Sequence, residues 1–269
     1  MKNITLNDGF EIPIVGSGTN TYGKEVNDYF GNINMDTKEL DSAIKAGYRH
    51  FDTAVSYRNE AVIGKAVAES GIDREEFFLT SKIPGEKEYV ANRELIIKTL
   101  DESLEKLQTD YVDLYLIHKP WDNNAEIVET WKVLEEQVEE GKIKSIGVSN
   151  FDKKQLQYLL DRATIKPVVN QVQSHPGNWN HDIIHFSHEN EVYAEAWGPL
   201  SRVNEDARNR LDEIGENHGK SWAQVVLNYQ INREVIVIPK SHNAERQADN
   251  LDIFDFKLSE EEIKEIASL

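Results

Sequence analysis

Eight short apolar runs, each separated from the next by a longer charged stretch of helical period, constrain this chain more than any other feature. They are IPIVGSG, HFDTAV, FFLTSKI, VDLYLIH, SIGVSN, PVVNQVQ, EVYAEAW and VIVIPKS. A strand with one face in water alternates apolar and polar residues, whereas a run that is apolar almost throughout needs cover on both faces, as in a parallel sheet under helices. Between the runs lie segments such as DTKELDSAIKAG, where Asp36 can cap a helix and Gly47 follows its end, and NRELIIKTLDESLEKLQ, with apolar residues three and four apart. Eight such alternations predict the α/β class and, within it, a closed (β/α)8 TIM barrel. Ahead of them, ITLNDGFEIP reads as a β-hairpin turning at Asn7, Asp8 and Gly9. A chain of 269 residues with no Pro/Gly/Ser-rich linker fits one barrel domain over residues 1–269.

Charge and composition narrow the function classes. The formal net charge of −18 repels nucleic acid and anionic lipid, so neither is an expected partner. With no cysteine there is no disulfide framework, thiolate metal site or thiol nucleophile. MKNITLNDGFEIP lacks the apolar core of a signal peptide and no later run is long enough to span a membrane, so the expectation is a cytoplasmic protein, and a monomer.

In a barrel of this type the chemistry gathers at the C-terminal ends of the strands. Those ends carry Asp52, Lys82, His118, Ser149 with Asn150, Gln171, Trp197, and Lys240 with Ser241, and a short polar loop after Asp52 adds Tyr57. Ionisable groups buried at one mouth are costly unless they pair or react. A tyrosine that donates a proton near neutral pH needs its phenolate stabilised by about two to three pH units, roughly 3–4 kcal/mol. One ammonium at about 4 Å supplies on the order of 4 kcal/mol at an effective dielectric near 20. Lys82 is the candidate ammonium, Asp52 the group that keeps it charged, Tyr57 the acid, and His118 a donor that orients a substrate oxygen.

With these residues in place the chain resembles the aldo-keto reductase family. The resemblance rests on DTAVSYRNE, TSK, DYVDLYLIHKP, GKIKSIGVSNF, VVNQVQSHP, WGPL and IPKSHNAERQADN, in matching order and spacing along almost the whole chain. It implies a (β/α)8 barrel that reduces aldehydes, ketones or dicarbonyls with a nicotinamide cofactor and no metal or flavin. The implied catalytic tetrad is Asp52, Tyr57, Lys82 and His118, with Tyr57 and His118 touching the carbonyl substrate. Gly18, Thr19 and Asn20 would lie beside the cofactor, Ser149, Asn150 and Gln171 on its carboxamide, and Trp197 against its ring, followed by Gly198, Pro199 and Leu200. Lys240, Ser241 and Arg246 match the grip on an adenosine 2′-phosphate, with Asp249 and Asn250 near the adenine, so NADPH is expected over NADH. The strand-to-helix step in PKSHNAERQADN suits an anion, whereas VGSGTN lacks the third glycine of a dinucleotide fingerprint.

Several features stand apart from the resemblance. Lys119 and Pro84 occupy positions where many relatives have tryptophan, which predicts a more open pocket with a cation near its rim. The segment from Tyr22 to Met35 carries Tyr22, Tyr29 and Phe30 and reads as a lid over the mouth. The ending EEIKEIASL follows soon after the cofactor segment, where relatives with long tails shape specificity, so a broad substrate range is expected. His181, His185 and His188 share a helical face, but without the accompanying glutamate of a zinc-protease motif no metal is expected. Two contrasting readings are a cofactor-binding regulatory or sensing subunit with little turnover, and a barrel hydrolase or isomerase using Asp52 and His118.

Overall fold

The computed structural model describes residues 2–269. A two-stranded antiparallel hairpin, β1 (Asn3–Thr5) and β2 (Glu11–Pro13), precedes eight parallel strands. These are β3 (Ser17–Gly18), β4 (His50–Asp52), β5 (Phe78–Ile83), β6 (Val112–Ile117), β7 (Ile143–Ser149), β8 (Val169–Gln173), β9 (Tyr193–Trp197) and β10 (Ile236–Ile238), paired in sequence order. The ring closes through a parallel bridge between Val15 and Val237, with Val237 N–H donating to the Ile14 carbonyl at 2.9 Å and Gly16 N–H to the Val237 carbonyl at 2.8 Å. All eight apolar runs therefore supply barrel strands, and the hairpin forms as expected, with Gly9 at φ +90°.

The helices are α1 (Lys38–Ala46), α2 (Glu60–Glu69), α3 (Lys87–Val90), α4 (Arg93–Leu107), α5 (Asn124–Glu139), α6 (Lys153–Leu160), α7 (His181–Glu189), α8 (Glu205–His218), α9 (Trp222–Asn232), α10 (Ala244–Leu251) and α11 (Glu260–Ser268). Their alternation with the strands is not one to one: α3 is a single extra turn after β5, and α8 and α9 both lie between β9 and β10. At the start of α1, Thr37 is the boundary residue and makes no side-chain cap; Asp36, one position earlier, accepts from Lys38 N–H at 3.1 Å.

Period-two alternation divides the apolar residues into two layers. Phe51, Leu79, Ile83, Tyr115, Ile117, Ile146, Val148, Ala194, Ala196 and Val237 face the helices and join the large outer core with Leu40, Leu100 and Trp131. Phe78, Leu114, Leu116, Val169 and Ile236 fill the barrel interior, and Leu6 and Ile12 of the hairpin segment pack into the same cluster. Three polar contacts pin the hairpin tip: Asn7 Nδ2 donates to the Pro167 and Glu191 carbonyls, each at 3.0 Å, and Asp8 Oδ2 accepts from Ser145 Oγ at 2.6 Å. The hairpin thus closes the N-terminal end and leaves the opposite rim to the polar strand ends. Among the described residues no helix is long and apolar enough to cross a membrane.

Gly147 marks how tightly β7 sits against its neighbours, since a Cβ there would meet Leu116 Cδ2 and the Val169 carbonyl oxygen, each at 2.7 Å. A backbone oxygen in a barrel cannot yield as a side chain can. Gly147→Ala should cost about 1–3 kcal/mol, read as a lower urea midpoint with an unchanged slope.

Candidate active site

At the open rim, period-two alternation turns His50 and Asp52 of β4 inward while Phe51 faces the helices, and on β5 it does the same for Thr80 and Lys82. Lys82 is wholly buried and Asp52 nearly so. The Lys82 ammonium donates to Asp52 Oδ1 at 2.6 Å and to the Thr53 carbonyl at 2.8 Å. Burial pulls this ammonium down, but Asp52, Tyr57 and Glu195 together outweigh it and hold Lys82 above the usual lysine range.

Tyr57 arrives from the loop after β4. Residues Val55–Tyr57 form a 3-10 turn that ends at Arg58, φ +62°. The fully buried Asn59 anchors the far side: its Oδ1 accepts from Thr53 Oγ1 at 2.9 Å, and its Nδ2 donates to the Thr19 carbonyl at 2.7 Å and the Tyr22 carbonyl at 3.1 Å. The Lys82 ammonium lies 5.0 Å from the Tyr57 ring centroid, and the His118 ring meets Tyr57 edge-on at 5.5 Å. Burial, with Lys82 and Lys119 adding repulsion, pushes the His118 imidazole down to about 3, so it is neutral at physiological pH. For Tyr57, burial outweighs the attraction of Lys82 and leaves its hydroxyl above its ordinary value. This corrects the expectation of a net downward pull: the phenol is a neutral donor here, and Lys82 offsets only part of the desolvation.

The cleft beside these groups has a volume of about 510 Å³. Gly18, Thr19, Asn20, Asp52, Tyr57, His118, Ser149, Asn150, Gln171, Trp197, Gly198, Pro199, Leu200 and Lys240 all line it. Lys82 sits behind the wall, reached through Asp52 and Tyr57. Ser241, Arg246, Asp249 and Asn250 are outside the lining: Ser241 turns on the Asn243 backbone, Arg246 and Asp249 are exposed on α10, and Asn250 is buried on the inner side of that helix. Ser201, Arg202, Ile238 and Pro239 line the cleft without having been anticipated as site residues, and Tyr29 lines it from the segment read as a lid. Ser201 and Arg202 continue the loop that begins at Gly198, so its sequence could have suggested them.

A hydrogen-bonded frame holds the floor of the cleft. Gln171 Nε2 donates to Asp52 Oδ2 at 2.8 Å and to Glu195 Oε2 at 2.7 Å. Both amide hydrogens are thereby used, and the carbonyl oxygen is left as the acceptor for a ligand. Asn150, at φ +61°, donates to Ser149 Oγ at 2.9 Å and to the His118 carbonyl at 3.2 Å, and accepts from Trp197 Nε1 at 2.9 Å. Trp197 is therefore fixed at its edge and presents a face. Lys240 spans the seam between β10 and the first loop, donating to Asn20 Oδ1 and Thr21 Oγ1, both at 2.9 Å.

Lys119 does not line the pocket as an unpaired cation, although its charge is felt at His118. Its ammonium pairs with Glu86 Oε1 at 2.6 Å, and it is absent from the cleft lining. In the segment proposed as a lid, Tyr22 is core: it is fully buried and its hydroxyl donates to the Ser241 carbonyl at 2.9 Å. Only Tyr29 reaches the cleft, 5.9 Å from the Tyr57 ring, while Phe30 is largely exposed. Among the described residues no group of His, Asp or Glu side chains is arranged to hold a metal.

Comparison with known proteins gives the arrangement a family. The Aldo/keto reductase family profile matches residues 15–269. The chain belongs to the aldo-keto reductase family. It is 40% identical over 266 residues to the glyoxal reductase of Bacillus subtilis, covering 99% of this chain and 92% of that one. The methylglyoxal reductase DkgA of Escherichia coli is 35% identical over 269 residues, with coverage of 99% and 92%. Among solved structures, an aldo/keto reductase from Brucella melitensis superposes with a TM-score of 0.89 at 40% identity over 98% of both chains. An aldo-keto reductase from Bombyx mori in complex with NADP gives 0.88 at 35% identity, over 98% of this chain and 91% of the other.

The buried pair at the heart of this family member's rim tolerates no half-measures. Lys82→Met leaves the Asp52 carboxylate buried and unpaired and should cost about 3–5 kcal/mol in urea unfolding. Adding Asp52→Asn should recover part of that loss, because the stranded charge is removed.

Proposed function

We propose that this chain is an NADPH-dependent oxidoreductase that reduces aldehyde, ketone or dicarbonyl groups to alcohols. The observation that carries the reading is the meeting of Tyr57, His118 and the buried Lys82–Asp52 pair at one wall of a cleft whose floor presents Trp197 and Gln171. The donor set fits a nicotinamide: the free carbonyl oxygen of Gln171 is an acceptor for a carboxamide N–H, and the face of Trp197 suits a planar ring. Bound there, the cofactor supplies a hydride to the carbonyl carbon.

The protein's own residues manage the oxygen. Neutral His118 donates a hydrogen bond that holds the carbonyl oxygen toward Tyr57. As negative charge develops, the Tyr57 hydroxyl gives up its proton, and the Lys82 ammonium stabilises the phenolate left behind. Asp52 keeps that ammonium charged against the burial that would otherwise favour its neutral form. Burial raises the Tyr57 hydroxyl, so it remains protonated and ready at neutral pH.

The preference for NADPH rests on cations that no carboxylate among the described residues neutralises. Lys240 is held by neutral oxygens, Arg246 is exposed in the first turn of α10, and the N-terminus of that helix adds backbone N–H groups. On a chain of net charge −18 such groups suit an additional phosphate. The relatives named glyoxal and methylglyoxal reductase support small dicarbonyls as the substrate class.

Following NADPH absorbance with glyoxal, methylglyoxal and larger aldehydes and ketones tests the reaction. Tyr57→Phe should bind NADPH normally and lose roughly 10²–10⁴-fold in turnover; undiminished turnover in this variant refutes Tyr57 as the acid. Replacing Lys240 and Arg246 by Ala should each reduce the NADPH-to-NADH preference by about tenfold or more, and an unchanged ratio refutes the phosphate site.

A further inference from the structure

Beneath the Asp52–Lys82 pair the barrel holds a second carboxyl, which the proposed reaction leaves unused. Glu195 lies in the middle of β9, on the inward side with Trp197, and is fully buried. Its Oε2 accepts from Gln171 Nε2 at 2.7 Å, and the same nitrogen donates to Asp52 Oδ2 at 2.8 Å. Glu195 therefore joins the floor of the active site through one amide.

Its other oxygen points to a proton. Among the described residues Oε1 has no hydrogen-bond partner, and it lies 3.5 Å from Nε2 of His50, also fully buried. His50 Nδ1 faces the Pro13 carbonyl at 3.3 Å, and a carbonyl only accepts, so Nδ1 carries a hydrogen. In a neutral ring Nε2 is then a bare acceptor, opposite the acceptor Oε1. Thr80 Oγ1, 3.4 Å from Nε2, can donate to that nitrogen but still leaves Oε1 alone. One proton between Oε1 and Nε2 satisfies both atoms.

We propose that Glu195 and His50 share a single proton beneath the active site, and that losing it weakens the acid Tyr57 by placing a second negative charge against Asp52 and Lys82. The second part rests on the reading of Tyr57 as the acid. The groups around Glu195 define the charge balance: His50 and Asp52 from β4, Lys82 from β5, neutral Gln171 from β8, and apolar Ile236 opposite it on β10. Burial, reinforced by the Asp52 charge, pushes the Glu195 carboxyl up to about 8, while burial pulls the His50 ring down to about 3. With the proton in place the His50–Glu195 pair is neutral. Without it the pair carries −1, the Lys82 ammonium is held more firmly by its anionic neighbours, and a Tyr57 phenolate is disfavoured. Reduction slows as pH rises through about 8.

Two variants and two readouts test this. Glu195→Gln has the shape of the protonated acid and nothing to titrate; His50→Gln presents an N–H toward Oε1 and favours the carboxylate. In pH profiles of NADPH-dependent methylglyoxal reduction, wild type should lose about tenfold in kcat from about pH 7 to about pH 9. Glu195→Gln should lack that limb, whatever its kcat at pH 7, and His50→Gln should move it to lower pH. An identical limb in wild type and Glu195→Gln, or a uniform loss at every pH, overturns the effect on Tyr57. The proton is read separately from unfolding, without turnover. Because folding raises the carboxyl, its contribution to stability is complete below the unfolded value near 4.3 and is lost as pH rises through about 8. Wild type should release about one proton more than Glu195→Gln on unfolding across that window, so its melting temperature falls relative to the variant. Parallel melting curves overturn the shared proton, whereas absence of NADPH turnover in wild type refutes the reductase reading and leaves this readout standing.

Discussion

The rim of this barrel depends on one dry ion pair. Lys82 and Asp52 meet at 2.6 Å with almost no exposure, and removing two charges from water costs several kcal/mol for each ion unless attraction and further hydrogen bonds return it. Here much of the return comes from hydrogen bonds: one Asp52 oxygen takes the ammonium, the other takes the Gln171 amide, and the Thr53 carbonyl takes a second ammonium hydrogen. Breaking any member exposes a charge to an interior that cannot solvate it, so three strands and one loop are held to a single geometry by the same few atoms.

From that pair the order of the cleft follows outward. Gln171, held by two carboxyl groups, has only its carbonyl to offer; Asn150, used at both ends, clamps the edge of Trp197 and the backbone of His118. Tyr57 is set against Lys82 by a turn whose exit is tied down through Asn59. None of these groups is free to adapt when a ligand enters, which is the condition for stabilising charge without reorganisation. The chain as a whole is strongly acidic, while the one carboxylate lining the cleft among the described residues, Asp52, is already paired and Arg202 and Lys240 line it as cations.

Much of this was legible before any coordinates. Asp52 and His118 stand out because each ends an apolar run, and Lys82 because it interrupts one near its end. Trp197 follows from the last position of its run, while Gln171 stands two residues before the end of β8, level with Glu195. Glu195 was not legible in this way: it stands mid-run in EVYAEAW, where alternation says that it faces inward but not that Gln171 and His50 from other strands lie beside it. The direction of the Tyr57 shift was also out of reach, because it is a contest between burial and one cation, and burial is a property of everything packed around the ring. Lys119 looked like a pocket cation until Glu86 proved to lie within 2.6 Å.

By itself the sequence determined the barrel, the hairpin beneath it and which side chains stand at the open rim, since these depend on local periodicity and on the position of polar residues along each apolar run. Only the tertiary structure decided which of those side chains touch, which of them keep or lose a proton, and that Glu195 belongs with them. Pairing and desolvation are set by distances between strands far apart in the chain, and no spacing along one strand records them.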